Sequence, residues 1–125
     1  MRNRGRAATA LAAALLLGAC GGGGSSDEPE ADPSRPPDIL VKAKEFRFEP
    51  AELTSDAGRP LLVAVENIGS IPHDLTVKDG DFKVTVAKGV TRRKTLTVAK
   101  AGTYKLYCSL PGHESAGMRG TLSVR

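Results

Sequence analysis

Past residue 38 no stretch of the chain carries an apolar repeat of 3.6 residues. Its apolar residues instead alternate or run together over short spans, each closed by turn residues. That pattern suggests a body of short strands. Residues 39–48 (Ile39 to Phe48) read as a first strand whose apolar parity slips between Ala43 and Phe46, as a bulge or a crossing between sheets requires. Pro50 stops it, Glu52 to Ser55 form a short strand, and Ala57-Gly58-Arg59-Pro60 turns the chain. Leu61 to Asn67 are apolar and β-rich, the pattern of a central strand. After a loop from Ile68 to Pro72, His73 shares its parity with Leu75 and Val77 and so points inward. Phe82, Val84 and Val86 alternate with Lys83 and Thr85. Residues 90–98 begin with the charged patch Arg92-Arg93-Lys94, read as a solvated or edge portion. In Thr103 to Ser109 the residues Tyr104, Leu106 and Cys108 share the inner face, and Met118, Gly120, Leu122 and Val124 share parity in the last strand. The sum is all-β, a sandwich of about eight strands.

Two segments precede this domain. Residues 1–19 hold Arg2, Arg4 and Arg6, then the apolar run Ala10 to Leu17, a secretory leader too short to be a membrane span. It ends Leu17-Gly18-Ala19-Cys20, which resembles the bacterial lipoprotein box, and this implies cleavage and lipidation at Cys20. Residues 20–38 are rich in Gly, Ser and Pro with almost no apolar content, so they cannot offset the entropy of folding and are expected to be a flexible tether. An exported, membrane-anchored protein facing the periplasm or the cell exterior follows as the expectation. The tether carries −4 and the domain, residues 39–125, carries +5. A mildly basic domain suits an acidic partner or a membrane surface. Nucleic acid is not expected, because the chain is exported and carries no motif for it.

With Cys20 lipidated the domain keeps one cysteine, Cys108, which cannot form an internal disulfide. A lone thiol in an oxidising compartment must be buried or bound to metal. Cys108 opens Cys-x4-His-x4-Met, with His113 and Met118 on a loop that also contains Pro111, Gly112 and Gly117. The chain's other histidine is His73. Each of these residues has a plain alternative: Cys108 as a packed thiol, Met118 as core filler, either histidine as structural or surface. Together they make a soft donor set of two imidazoles, a thiolate and a thioether, the combination that favours copper in a blue-copper arrangement. Zinc is the competing ion, since Cys and His suit it equally, but thioether does not. No Gly-x-Ser-x-Gly is present, and an inward-facing Cys108 does not suit a nucleophile open to substrate, so no enzyme activity is expected.

Phe46-x-Phe48-x-Pro50, Asn67 with Pro72-His73, Gly102-Thr103-Tyr104-x-x-Tyr107-Cys108 and the Cys-x4-His-x4-Met loop together resemble the cupredoxins, the blue-copper electron carriers. The resemblance spans essentially all of residues 39–125, and the loop is longer than plastocyanin's, closer to that of auracyanin or rusticyanin. It implies a Greek-key sandwich with copper at one end, His73, Cys108 and His113 as strong ligands and Met118 as the long axial one. It also implies supporting hydrogen bonds from Asn67, Asp74 and Ser109. Plastocyanin and azurin place Asn after the first histidine, whereas this chain has Asp74, a difference expected to tell in the copper potential. The implied function is one-electron transfer by a monomeric domain between redox proteins or membrane complexes. Electrons would pass at His113, ringed by Leu110, Pro111, Gly112, Ile71 and Pro72. The alternatives are a copper storage or delivery protein, and a metal-free accessory domain of the same fold.

Overall fold

The computed structural model describes residues 32 and 34–125, so the leader, Cys20 and most of the tether lie outside the described residues. Among the described residues nine strands make up the fold: β1 (Ile39–Lys44), β2 (Arg47–Glu49), β3 (Glu52–Ser55), β4 (Leu61–Asn67), β5 (His73–Val77), β6 (Lys83–Val86), β7 (Thr91–Leu96), β8 (Gly102–Tyr107) and β9 (Arg119–Val124). They form a Greek-key sandwich of two sheets, ordered β2-β1-β4-β7 and β3-β9-β8-β5-β6. β1 runs parallel to β4 and β3 parallel to β9, while the other pairs are antiparallel.

One more strand is present than the pattern predicts, and the extra one comes from residues 39–48. The parity slip there is a two-residue turn, Glu45–Phe46, that folds β2 back on β1 with Lys44 opposite Arg47. Phe46 takes a positive φ of 57°, which an aromatic residue seldom adopts. Val41 and Ala43 before the turn and Phe48 after it all point into the core, and Phe46 is left outside at 38% exposure. The charged Arg92-Arg93-Lys94 patch lies on β7, an edge strand of the four-stranded sheet, as expected.

Alternate residues of facing strands fill the space between the sheets: Val41, Val63 and Val65 from one, Leu75, Val84, Val86, Leu106 and Leu122 from the other. Each such side chain contributes roughly 1.5–3 kcal/mol on burial. Asp38, immediately before β1, fastens the entry of the chain. Its N–H donates to the Leu62 carbonyl at 2.8 Å, and its carboxylate accepts from the Leu62 N–H at 2.7 Å. Among the described residues no helix is long and apolar enough to cross a membrane.

Candidate metal centre

Two sheet neighbours bring the site together. His73 opens β5 with its ring turned inward and wholly buried. Cys108 directly follows β8, which pairs with β5, and is also wholly buried. The loop leaving Cys108 is closed by its own backbone. Cys108 N–H donates to the Met118 carbonyl at 3.1 Å, and Met118 N–H donates to the His113 carbonyl at 3.0 Å. Gly112 and Gly117, at φ of 80° and 112°, supply conformations that side-chain-bearing residues resist. The result turns His113, half-buried, back toward Cys108.

The His73 and His113 Nδ1 atoms are 3.2 Å apart, and Cys108 Sγ is 3.4 Å from His113 Nδ1. One donor atom from each of the three residues lies within 4.8 Å of the others. Among the described residues this is the one cluster of three or more His, Cys, Asp or Glu side chains able to share an ion. Met118 is wholly buried and is tied through its backbone to both Cys108 and His113.

Burial, reinforced by the neighbouring His113, lowers the proton affinity of His73, while Glu45 and Asp74 oppose the shift. Burial also pushes the Cys108 thiol up, against hydrogen bonding from the backbone of Asp74 and Leu110. A buried thiol and two buried or half-buried imidazoles converging on one point are costly for a fold without a ligand and suit a soft cation. The donor set therefore fits copper, and zinc by the same donors less Met118.

Asp74 organises the surroundings. Its backbone N–H donates to Cys108 Sγ at 3.3 Å. Its wholly buried carboxylate accepts from Ser109 N–H at 2.8 Å, Ser109 O–H at 2.6 Å and Thr76 O–H at 2.9 Å. Lys83 reaches in from β6, 3.7 Å from Asp74 Oδ2, and donates to Ser109 Oγ at 2.8 Å. Asn67, buried at the end of β4, shapes the loop before His73. Its amide donates to the carbonyls of Ile71 (2.8 Å) and Val86 (3.1 Å), and its Oδ1 accepts from Gly69 N–H (2.9 Å).

Around His113, Ile71, Pro72, Pro111 and Gly112 are exposed and Leu110 is half-buried. Two contacts escape a reading of the sequence. Phe46 sets its ring edge-on to His113, centroids 5.3 Å apart. Glu45 accepts from the Ser70 and Ile71 N–H groups, and the Ser70 N–H chiefly holds its carboxyl below the usual carboxylate range. The out-of-phase aromatic was the available signal for Phe46; nothing in the sequence pairs Glu45 with His73.

Residues 7–124 match the family described as the cupredoxin-like domain. The copper-resistant cuproprotein CopI of Rubrivivax gelatinosus is 27% identical over 106 residues, covering 69% of this chain and 64% of its own length. The chain thus spans just under two thirds of that curated relative. Reduced auracyanin from the photosynthetic bacterium Roseiflexus castenholzii shares the fold at a TM-score of 0.64 and 20% identity, over 70% of this chain and 95% of its own. Auracyanin B does so at 0.62 and 21%, over 73% and 91%.

Proposed function

This chain belongs to the cupredoxin-like domain family, and from that premise we propose that it is a one-electron carrier with a single copper site, not an enzyme. The observation that carries the reading is the convergence of His73, Cys108 and His113 donor atoms within 4.8 Å at one end of the sandwich. Copper bound there would supply a Cu(I)/Cu(II) couple. His73, Cys108 and His113 would hold it, with Met118 as the weaker fourth donor. The paired strands β5 and β8 hold His73 and Cys108 beside one another, so little rearrangement would accompany a change of charge. The Asp74 N–H on Cys108 Sγ tempers the thiolate's charge and so tunes the couple.

Electrons would enter and leave at His113. The apolar surface of Ile71, Pro72, Pro111 and Phe46 around it suits brief docking to redox proteins or membrane redox complexes. In the same reading residues 1–19 export the chain, Cys20 carries a lipid, and residues 20–38 let the domain range over the membrane surface.

Adding Cu(II) to the purified domain tests the proposal. An intense blue or green thiolate-to-copper band that bleaches and returns with one electron is the expected result, and Cys108→Ser should abolish it. A colourless, redox-silent complex would defeat it. The likeness to CopI favours a second reading, in which the chain stores or hands on copper. That reading requires weak colour and ready loss of the ion to an acceptor.

A further inference from the structure

His73 has two ring nitrogens, and they face different things. Nδ1 looks toward His113 and Cys108. Nε2 is buried and, among the described residues, is the one buried side-chain nitrogen or oxygen without a hydrogen-bond partner. A neutral imidazole that gives Nδ1 to an ion must carry its proton on Nε2, and a ligating histidine ordinarily donates that proton to a fixed acceptor. The group facing Nε2 is the Glu45 carboxylate, with Oε1 at 3.8 Å. That same oxygen accepts from the N–H groups of Ser70 and Ile71, in the loop that leads into His73. The carboxylate is thus aimed before any ion arrives. A hydrogen bond of about 2.9 Å requires it to close by roughly 1 Å, a small movement for a side chain still 38% exposed.

We propose that Glu45 is a positioning residue for the metal centre: it accepts the Nε2–H of His73, fixes that ring with Nδ1 toward the ion, and locks it to the Ser70–Ile71 loop. The inference rests on the metal-centre reading above. Its chemistry follows from charge. A carboxylate on the far nitrogen makes the imidazole a better donor, which favours the more highly charged ion. The Glu45–Phe46 turn thereby touches both imidazoles, Glu45 on His73 and Phe46 on His113.

Glu45→Gln keeps an oxygen for the Ser70 and Ile71 N–H groups but removes the charge, and Glu45→Ala removes both. The first measurement is the ring nitrogen–proton spectrum of His73 in metal-free and Zn(II)-loaded protein. The second is the Zn(II) dissociation constant. We expect Glu45→Gln to move the Nε2–H resonance upfield and hasten its exchange while the Ser70 and Ile71 amide signals persist. We expect Glu45→Ala to weaken Zn(II) binding about 10- to 100-fold. An unchanged His73 ring spectrum in Glu45→Gln, or unchanged Zn(II) binding in Glu45→Ala, would overturn the proposal. A purely loop-holding role would leave the ring resonance where it was. Neither measurement uses copper, so a chain that fails to form a coloured copper complex defeats the carrier reading while leaving this test standing.

Discussion

At the scale of single residues, the charge beside Cys108 is the feature with most to decide. Asp74 is a buried carboxylate whose own N–H touches the sulfur, and Lys83 stands over it from the sheet's edge. The pair holds the site's surroundings near neutral. Asp74→Asn should raise the copper reduction potential and Lys83→Met should lower it, by about 59 mV for each tenfold change in relative affinity for the two oxidation states. Spectroelectrochemical titration reads both, and shifts of the same sign would contradict the account. The metal-free protein offers a second check. Burial holds His73 below its ordinary 6.5, so as pH falls past that value the unfolded chain takes up a proton that the folded one refuses, and stability drops. Burial holds Cys108 above its ordinary 9.0, so as pH rises past that value the unfolded chain sheds a proton that the folded one keeps, and stability drops again. The urea midpoint of the metal-free domain should therefore peak between these two values. The sequence made the inward course of His73 and Cys108 legible, because parity along a strand decides it. It could not reveal Glu45, whose contact with His73 depends on a turn closing at a distance along the chain.

At the scale of elements, the β1–β2 turn is where the sequence misled, and the reason is local. An aromatic at positive φ is disfavoured in isolation, so no turn propensity marks Glu45–Phe46; tertiary contacts with His113 and the loop before His73 hold it there. Short alternating strands such as β6 and the edge position of β7 were legible because solvent falls on alternate residues. β9 has a different constraint. A Cβ on Gly120 would lie 2.1 Å from the Ala51 carbonyl oxygen, where the chain between β2 and β3 crosses it. Gly120→Ala must push that backbone aside, and overpacking of this kind costs about 1–3 kcal/mol. Equilibrium unfolding of the metal-free variant measures the loss, and an unaltered midpoint would show that the crossing yields freely.

Taken whole, the described residues form one sandwich whose entry is fixed at Asp38. Asp38 is bonded to Leu62, so a chain begun at residue 34 keeps its fastening without the residues proposed as leader and tether. On the proposed anchoring at Cys20, such a chain should show the 125-residue chain's copper spectrum and potential in solution but deliver electrons more slowly to membrane complexes. Equal delivery rates in vesicles would remove the case for anchoring. Copper at a hundredfold above its dissociation constant should stabilise the fold by about 2.7 kcal/mol, seen as a higher melting temperature on loading.

The strand that leaves the ligand loop, β9, lies between β3 and β8, paired to both. Pairing on both flanks of β9 therefore steadies the loop that carries His113 and Met118, in addition to that loop's own backbone bonds. Weakening either flank of β9 should then be felt at the ligand loop, as a looser hold on a bound ion, before it is felt in the sandwich as a whole.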